Sequence, residues 1–344
     1  MSLPRFRHTG AIATLTLLLA LFISPALTGA QSTPEASPVS GAGDVITYEL
    51  PGDSVYPEGV TFDATENVFY VGSTGDGTIF RGDIATGEVE VFSEGGSDGR
   101  VTAIGMDIDD QGRLFVAGGG SGQVFVYDTE TGENIAVLDT GLAPDTFLND
   151  VVVVDDVAYV TDSSNPTLFQ ITFGDPQGSI EEFVDFTGTP FEFQPDAFNA
   201  NGIVATTDGQ YLLVVQSVTG KLFRVGIGTG EVTPVDLGGV ELMNGDGMAL
   251  DGQLLYVLQN QQEQIVPIDL DVEYVSGVAG EPITNDALNY PTTLALTGDG
   301  RALVVNSQFG ARQSGNPELP FTVVSIPLPD ADAGPATPEA SPVS

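Results

Sequence analysis

Between residues 44 and 330 the chain is a succession of short apolar runs, alternating with polar positions and separated by Gly, Asp and Asn. No stretch keeps an apolar stripe at helical spacing for three turns, so the pattern predicts strands joined by tight turns. The runs repeat as a unit: a turn, a Gly or its equivalent, an apolar strand, a second turn and a second apolar strand. Successive units begin at Glu58-Gly59-Val60, Ile104-Gly105-Met106, Asn149-Asp150-Val151, Asn201-Gly202-Ile203, Asp246-Gly247-Met248 and Thr293-Leu294-Ala295, with starts 46, 45, 52, 45 and 47 residues apart.

A period near 45 residues accommodates four short strands and their turns, which is the blade of a β-propeller. Six copies predict an all-β, six-bladed propeller with four antiparallel strands per blade. In the first blade the strands are expected near Val60–Asp63, Val68–Gly72, Thr78–Asp83 and Val89–Ser93. The last two meet at the hairpin Thr86-Gly87-Glu88, which recurs as Thr131-Gly132-Glu133 and Thr229-Gly230-Glu231. The sixth unit has only three strands, so Val45–Leu50 is expected to supply its outermost strand and close the ring, leaving no free sheet edge there.

The flanks read differently. Residues 1–30 carry Arg5 and Arg7, an apolar run from Ala11 to Ile23 and the small residues Thr28-Gly29-Ala30; this is the pattern of a cleaved signal peptide rather than a membrane anchor, because the run is short for a bilayer. The octamer Thr-Pro-Glu-Ala-Ser-Pro-Val-Ser occurs at 33–40 and again at 337–344. It offers almost nothing to bury, so residues 31–43 and 331–344 are expected to be a disordered linker and tail around a propeller at 44–330. A secreted or cell-envelope protein with no membrane insertion after cleavage follows.

Charge and composition then narrow the chemistry. After loss of the signal, seven basic residues face 48 acidic ones, a formal charge of −41, which repels nucleic acid and anionic lipid. There is no Cys, and the single His, His8, lies in the signal segment. A mature chain without imidazole or thiol excludes Ser-His-Asp and Cys-His catalysis, thiolate zinc sites and the usual redox centres, superoxide dismutation among them. What remains is carboxylate, amide and hydroxyl chemistry, or a metal held by oxygen.

Equivalent positions at the start of each innermost strand of a propeller project into one ring around the axis. Here that ring reads Glu58, Ile104, Asn149, Asn201, Asp246 and Thr293. Glu58, Asn149, Asn201 and Asp246 offer four side-chain oxygens and two negative charges, a set suited to one Ca²⁺. The same residue types favour the turn before a strand, and Asn149 or Asn201 in an Asx turn is the competing explanation.

At these residues the chain resembles the family of gluconolactonase, regucalcin (senescence marker protein) and luciferin-regenerating enzyme, six-bladed calcium-dependent propellers that also resemble diisopropyl fluorophosphatase. The resemblance spans roughly Pro57 to Leu296 and rests on Pro57-Glu58-Gly59, Leu148-Asn149-Asp150-Val151, Asn201-Gly202-Ile203 and Asp246-Gly247-Met248. It implies that Glu58, Asn201 and Asp246 are direct metal ligands, that Asn149 is a ligand or a substrate-orienting amide, and that Asp246 is the catalytic carboxylate, acting as general base or by direct attack. The function implied is a hydrolase of lactones or related esters acting on a small molecule in the axial channel. The alternative is a non-enzymatic binding or scaffold propeller with structural calcium or none. Two departures weigh on the substrate: sugar-lactonase members often carry Arg where this chain has Phe147, and the phosphotriesterase relative has a channel His that is missing here.

Several other features fall at the ring's end. The link between the third and fourth units is about seven residues longer than its peers and carries Phe183, Phe186, Phe191, Phe193 and Phe198, either as a cap over the site or as packing for the loop itself. The segment Gly310–Pro320 holds Arg312, an anion-binding residue if it folds inward and a surface residue otherwise. Gln216, Gln259, Asn260, Asn306 and Gln308 would face a polar ligand or serve the turns. Asp107, Asp109 and Gly112 imitate the start of an EF-hand, but the flanks are strands and the twelfth position is Gly118, so a calcium loop is rejected; Gly118–Gly122 is likewise a turn, with no helix behind it to bind phosphate.

Overall fold

The computed structural model describes residues 43–173 and 178–329; the expected signal peptide, linker and tail lie outside the described residues, apart from Gly43. Strand β1 (Ile46–Leu50) comes first. Blade one follows as β2 (Pro57–Asp63), β3 (Val68–Ser73), β4 (Ile79–Asp83) and β5 (Val89–Ser93), and blade two as β6 (Met106–Ile108), β7 (Arg113–Ala117), β8 (Gln123–Asp128) and β9 (Asn134–Asp139). Blade three is β10 (Leu148–Val154), β11 (Val157–Asp162), β12 (Thr167–Thr172) and β13 (Ser179–Asp185); blade four is β14 (Ala200–Ala205), β15 (Tyr211–Gln216), β16 (Lys221–Gly226) and β17 (Val232–Pro234). Blade five holds β18 (Gly245–Asp251), β19 (Leu254–Gln259), β20 (Gln264–Leu270) and β21 (Gly277–Ala279), with the short β22 (Ile283–Thr284) also paired to β20. Blade six is β23 (Pro291–Leu296), β24 (Arg301–Asn306) and β25 (Phe321–Pro327), separated after β24 by the one α-helix among the described residues, α1 (Phe309–Ser314).

Each blade is an antiparallel meander, and the ring closes as the apolar pattern requires. β1 pairs with β25, Ile46 opposite Ser325 and Leu50 opposite Phe321, so the sixth sheet runs β1-β25-β24-β23. The alternation of β1 buries Tyr48 and Leu50 against Val60, Phe69 and Phe321, which joins blade six to blade one. Six apolar clusters occupy the six interfaces between neighbouring blades. The core is therefore a set of wedges rather than one central mass. The shared hairpin between third and fourth strands uses Gly87, Gly132 and Gly230 at φ of 77°, 73° and 67°, a left-handed conformation that suits glycine.

The innermost strands carry a register shift at one repeated place. It lies between Pro57 and Val60, Leu148 and Val151, Ala200 and Ile203, Gly245 and Met248, and Pro291 and Leu294. Such a bulge re-aims side chains at the end of a strand, and here it sets Glu58, Asn149, Asn201 and Asp246 in equivalent positions. It also corrects the sixth unit: the residue equivalent to Glu58 is Thr292, not Thr293. Thr292 is fully buried and its hydroxyl donates to the Glu58 carbonyl at 2.9 Å, whereas Thr293 lines a smaller cavity further along the innermost strands.

The residue after the ring position faces the neighbouring innermost strand at very short range. A Cβ on Gly59 would come within 2.2 Å of the Ile104 carbonyl oxygen, and one on Gly202 within 2.1 Å of that of Asp246. Glycine at these two places is what lets adjacent blades converge on the axis.

Candidate metal centre and substrate cavity

Glu58, Asn149, Asn201 and Asp246 are all buried, and all four line one cavity of about 530 Å³. They come from the innermost strands of blades one, three, four and five; Ile104 and Thr292 hold the equivalent places in blades two and six.

What points the amide oxygens inward is a second set of side chains. Asn149 donates its Nδ2 to Ser163 Oγ at 2.8 Å, and Ser163 donates to the Ala200 carbonyl at 2.6 Å. Asn201 donates to Ser217 Oγ at 2.9 Å, and Ser217 donates to the Gly245 carbonyl. In each relay the nitrogen is held by the strand behind it and the serine is anchored to the next blade, which leaves Oδ1 as the atom available to the channel. Ser163 and Ser217 each stand one residue beyond the second strand of their blade, 14 and 16 positions after the ring residue; Thr74, Asn260 and Ser307 occupy the same place in blades one, five and six.

Of this second ring, the polar residues singled out from sequence included Asn260 alone. Its Nδ2 donates to Asp246 Oδ2 at 2.8 Å, while its own Oδ1 is buried without a partner. The serines carried a readable signal, a small hydroxyl residue directly after the second strand in blades one, three, four and six, but its meaning depends on the bulge that sets which residue lies opposite.

The electrostatics of the ring are those of a charged site removed from water. Burial pushes the Glu58 carboxyl well above its ordinary range, reinforced by the negative charges of Asp246 and Asp150. Burial likewise pushes Asp246 up to about 7, against hydrogen bonds from Asn260 and Asn201 that favour its ionised form. Further along the innermost strands, burial raises Asp150 to about 7 and Asp107 to about 6, although Asp150 accepts from the Val151 and Ile203 N–H groups and Asp107 from those of Ile108 and Val153.

The donor set fits a hard divalent cation. Glu58 Oε2 is buried with no hydrogen-bond partner, Asn149 and Asn201 donate their nitrogens to Ser163 and Ser217 and so have Oδ1 to offer, and two carboxylates would balance the charge. Among the described residues no group of three or more acidic side chains comes together, so amides supply half of the donors here.

Above the ring the cavity walls are largely apolar. Phe147 and Phe198 meet edge to face with centroids 5.2 Å apart, and Ile104 lies beside them. Across the cavity Tyr290 and Phe309 pack at 6.0 Å. The aromatics expected in the long link between blades three and four divide between the two roles: Phe186 and Phe191 stack at 4.2 Å in the core, only Phe198 lines the cavity, and Phe183 belongs not to the link but to β13, where it packs on Tyr159. Arg312, on α1, does reach this cavity.

Gln216, Gln259, Asn306 and Gln308 are buried structural amides. They donate respectively to Asn199 Oδ1 and to the carbonyls of Met243, Ala287 and Glu318, tying the loops at this end of the blades. The EF-hand imitation also resolves as structure: Asp109 caps its own turn and pairs with Arg113 between two strands.

Comparison with known proteins places the fold. No family model matches the chain, and no curated protein matches it. Among solved structures, it is similar to regucalcin, a calcium-binding protein of Agrobacterium tumefaciens, at TM-score 0.56 and 17% identity, covering 79% of this chain and 91% of that one. It is similar to luciferin-regenerating enzyme at TM-score 0.57 and 12% identity, over 83% and 95% of the two chains, and to a streptogramin B lyase at TM-score 0.55 and 14% identity, over 84% and 100%. Two of these are the proteins that Glu58, Asn149, Asn201 and Asp246 resemble in sequence; at such identities the likeness is one of fold.

Proposed function

We propose that this chain is a secreted Ca²⁺-dependent hydrolase of lactones or related esters, with Glu58, Asn149, Asn201 and Asp246 holding the cation at the floor of the cavity. The observation that carries the reading is the pair of relays through Ser163 and Ser217, which engage two amide nitrogens and leave their oxygens to offer in the cavity that the buried, unpartnered oxygen of Glu58 also lines. A purely structural turn would have no use for that arrangement, because an Asx turn spends the side-chain oxygen on its own backbone.

A bound cation would supply polarisation of the substrate carbonyl and hold Asp246 ionised. The protein does the rest. Asn260 fixes Asp246 by occupying Oδ2 and leaves Oδ1 directed at the cavity. As general base, Asp246 takes a proton from water while the water oxygen bonds to the acyl carbon, and returns it to the departing alkoxide oxygen as that C–O bond breaks. As nucleophile, it would itself bond to the acyl carbon as the ester C–O bond breaks and the alkoxide leaves with a proton from solvent; water then adds to the acyl carbon, and breaking the acyl–Asp246 bond returns the carboxylate and the free acid. Asn149, nearer the Phe147 wall in sequence, orients the carbonyl or completes the ligand set.

The test is a calorimetric Ca²⁺ titration of the chelator-stripped mature protein beside Asp246→Ala, followed by a lactone and ester screen. One-site binding lost in the variant, with turnover in the screen, is the expected result. Absence of binding in the parent would overturn it and leave a metal-free binding propeller.

A further inference from the structure

We infer that the cavity selects carboxylate-bearing substrates with an apolar body, and that Arg312 is the residue that reads the carboxylate. The inference names the substrate class of the site proposed above and rests on that reading for the reaction, though not for the binding.

Arg312 stands three residues after Phe309 on α1, so the two side chains share a face of the helix, and both line the cavity. The guanidinium is exposed yet held in place. It donates from Nη1 to Thr74 Oγ1 at 3.0 Å and from Nη2 to the Thr74 carbonyl at 3.2 Å, and its carbon lies 5.1 Å from the centre of the Tyr56 ring. A guanidinium has five N–H groups; these contacts engage two and fix the plane of the rest. Arg312 forms no ion pair among the described residues; Arg100, Arg224 and Arg301 form none either, but of these four only Arg312 lines the cavity.

The guanidinium therefore lines the cavity pre-oriented and with no ion pair among the described residues, which is the arrangement a bidentate carboxylate contact needs.

The walls fix the remainder of the ligand. Ile104, Phe147, Phe198 and Phe309 present hydrocarbon where a polyhydroxylated substrate would need hydrogen-bond partners, and desolvating unpaired hydroxyls there is costly. An aryl or alkyl chain fits between the Phe147–Phe198 pair and the Tyr290–Phe309 pair, with its scissile ester toward Asp246 and its carboxylate on Arg312.

The experiment is calorimetric binding of three probes to the calcium-loaded full-length mature chain: 3-phenylpropionate, its neutral amide, and gluconate. We expect 3-phenylpropionate to bind about tenfold or more tighter than the amide, as a charge-assisted pair contributes, and tighter than gluconate. Arg312→Gln should erase the preference for carboxylate over amide and leave both amide binding and Ca²⁺ affinity unchanged; Arg312→Lys should keep part of it. A preference that survives in R312Q would place the carboxylate elsewhere and overturn the inference, as would equal binding of acid and amide, or gluconate binding best. No turnover is required, so a protein that binds 3-phenylpropionate through Arg312 but hydrolyses nothing refutes the hydrolase and keeps the recognition.

Discussion

Replacing Asp246 by Asn should stabilise the cation-free protein at neutral to alkaline pH while abolishing calcium binding. Burial raises the Asp246 carboxyl from an ordinary 3.8 to about 7. A group whose folded-state pKa is raised contributes its stability below the unfolded pKa and loses it as pH climbs through the folded value. Ionised Asp246 therefore costs nothing near pH 4 and its full penalty above pH 7. The shift of about 3 units corresponds to ~4 kcal/mol by 1.36 kcal/mol per unit, and the like charge it imposes on Glu58 adds to this. In urea denaturation with chelator at pH 8, D246N should have the higher midpoint, by up to ~4 kcal/mol of stability; at pH 4 the difference should vanish. Calcium should narrow the gap and then close it, since a ligand at a hundred times its Kd adds ~2.7 kcal/mol to the parent alone and at a thousand times ~4.1 kcal/mol. A variant less stable than the parent at pH 8 in chelator would refute the claim that these carboxylates are kept for binding at the expense of the fold.

Three further outcomes follow from the packing. Ser163→Ala or Ser217→Ala, which free an Asn amide from its anchor, should weaken calcium affinity by about 10- to 100-fold and cost about 1–3 kcal/mol of stability from the buried groups left unpaired, read by calorimetry and melting together. Arg100 is fully buried, with its guanidinium bonded to Tyr127 Oη, Ser93 and the carbonyls of Gly77 and Glu94; Arg100→Met should cost on the order of 3–5 kcal/mol in urea denaturation while leaving the cation site intact. A mature chain beginning at Pro51 lacks β1 and exposes the edge of β25, so it should aggregate on size exclusion and lose its cooperative melt.

How much of this was legible in the sequence depended on glycine. The ring residues of blades one, four and five are each followed by Gly59, Gly202 and Gly247, which the convergence of innermost strands demands, so the period could be aligned on them. Blade six has Thr293 at that place. With neither a glycine nor an acid or amide to mark the place, the pattern of Thr292 and Thr293 leaves the position open by one residue, and the bulge between Pro291 and Leu294 is what sets Thr292 in the ring. That Glu58, Asn149, Asn201 and Asp246 share one cavity was legible because side-chain chemistry repeated at a fixed place. Ser163 and Ser217 were not, because what they do is set by a bond to the next blade, across 37 and 28 residues of chain. Arg312 and Phe198 sat in the loops marked as enlarged, but whether a loop folds inward is decided by partners such as Thr74 and Phe147, distant in sequence.

The distribution of ring residues has a mechanical consequence. The four candidate ligands come from blades one, three, four and five, so a cation bound at the axis would act as a hub with four spokes, three of them side by side and the fourth, Glu58, isolated between the two blades that offer Ile104 and Thr292. Blade one is also the neighbour of the seam where β1 meets β25. The lone spoke would thus cross the wheel beside the joint made by the N-terminal strand, and an occupied hub would brace that closure from inside, so that opening the rim at β1 and releasing the cation become one event.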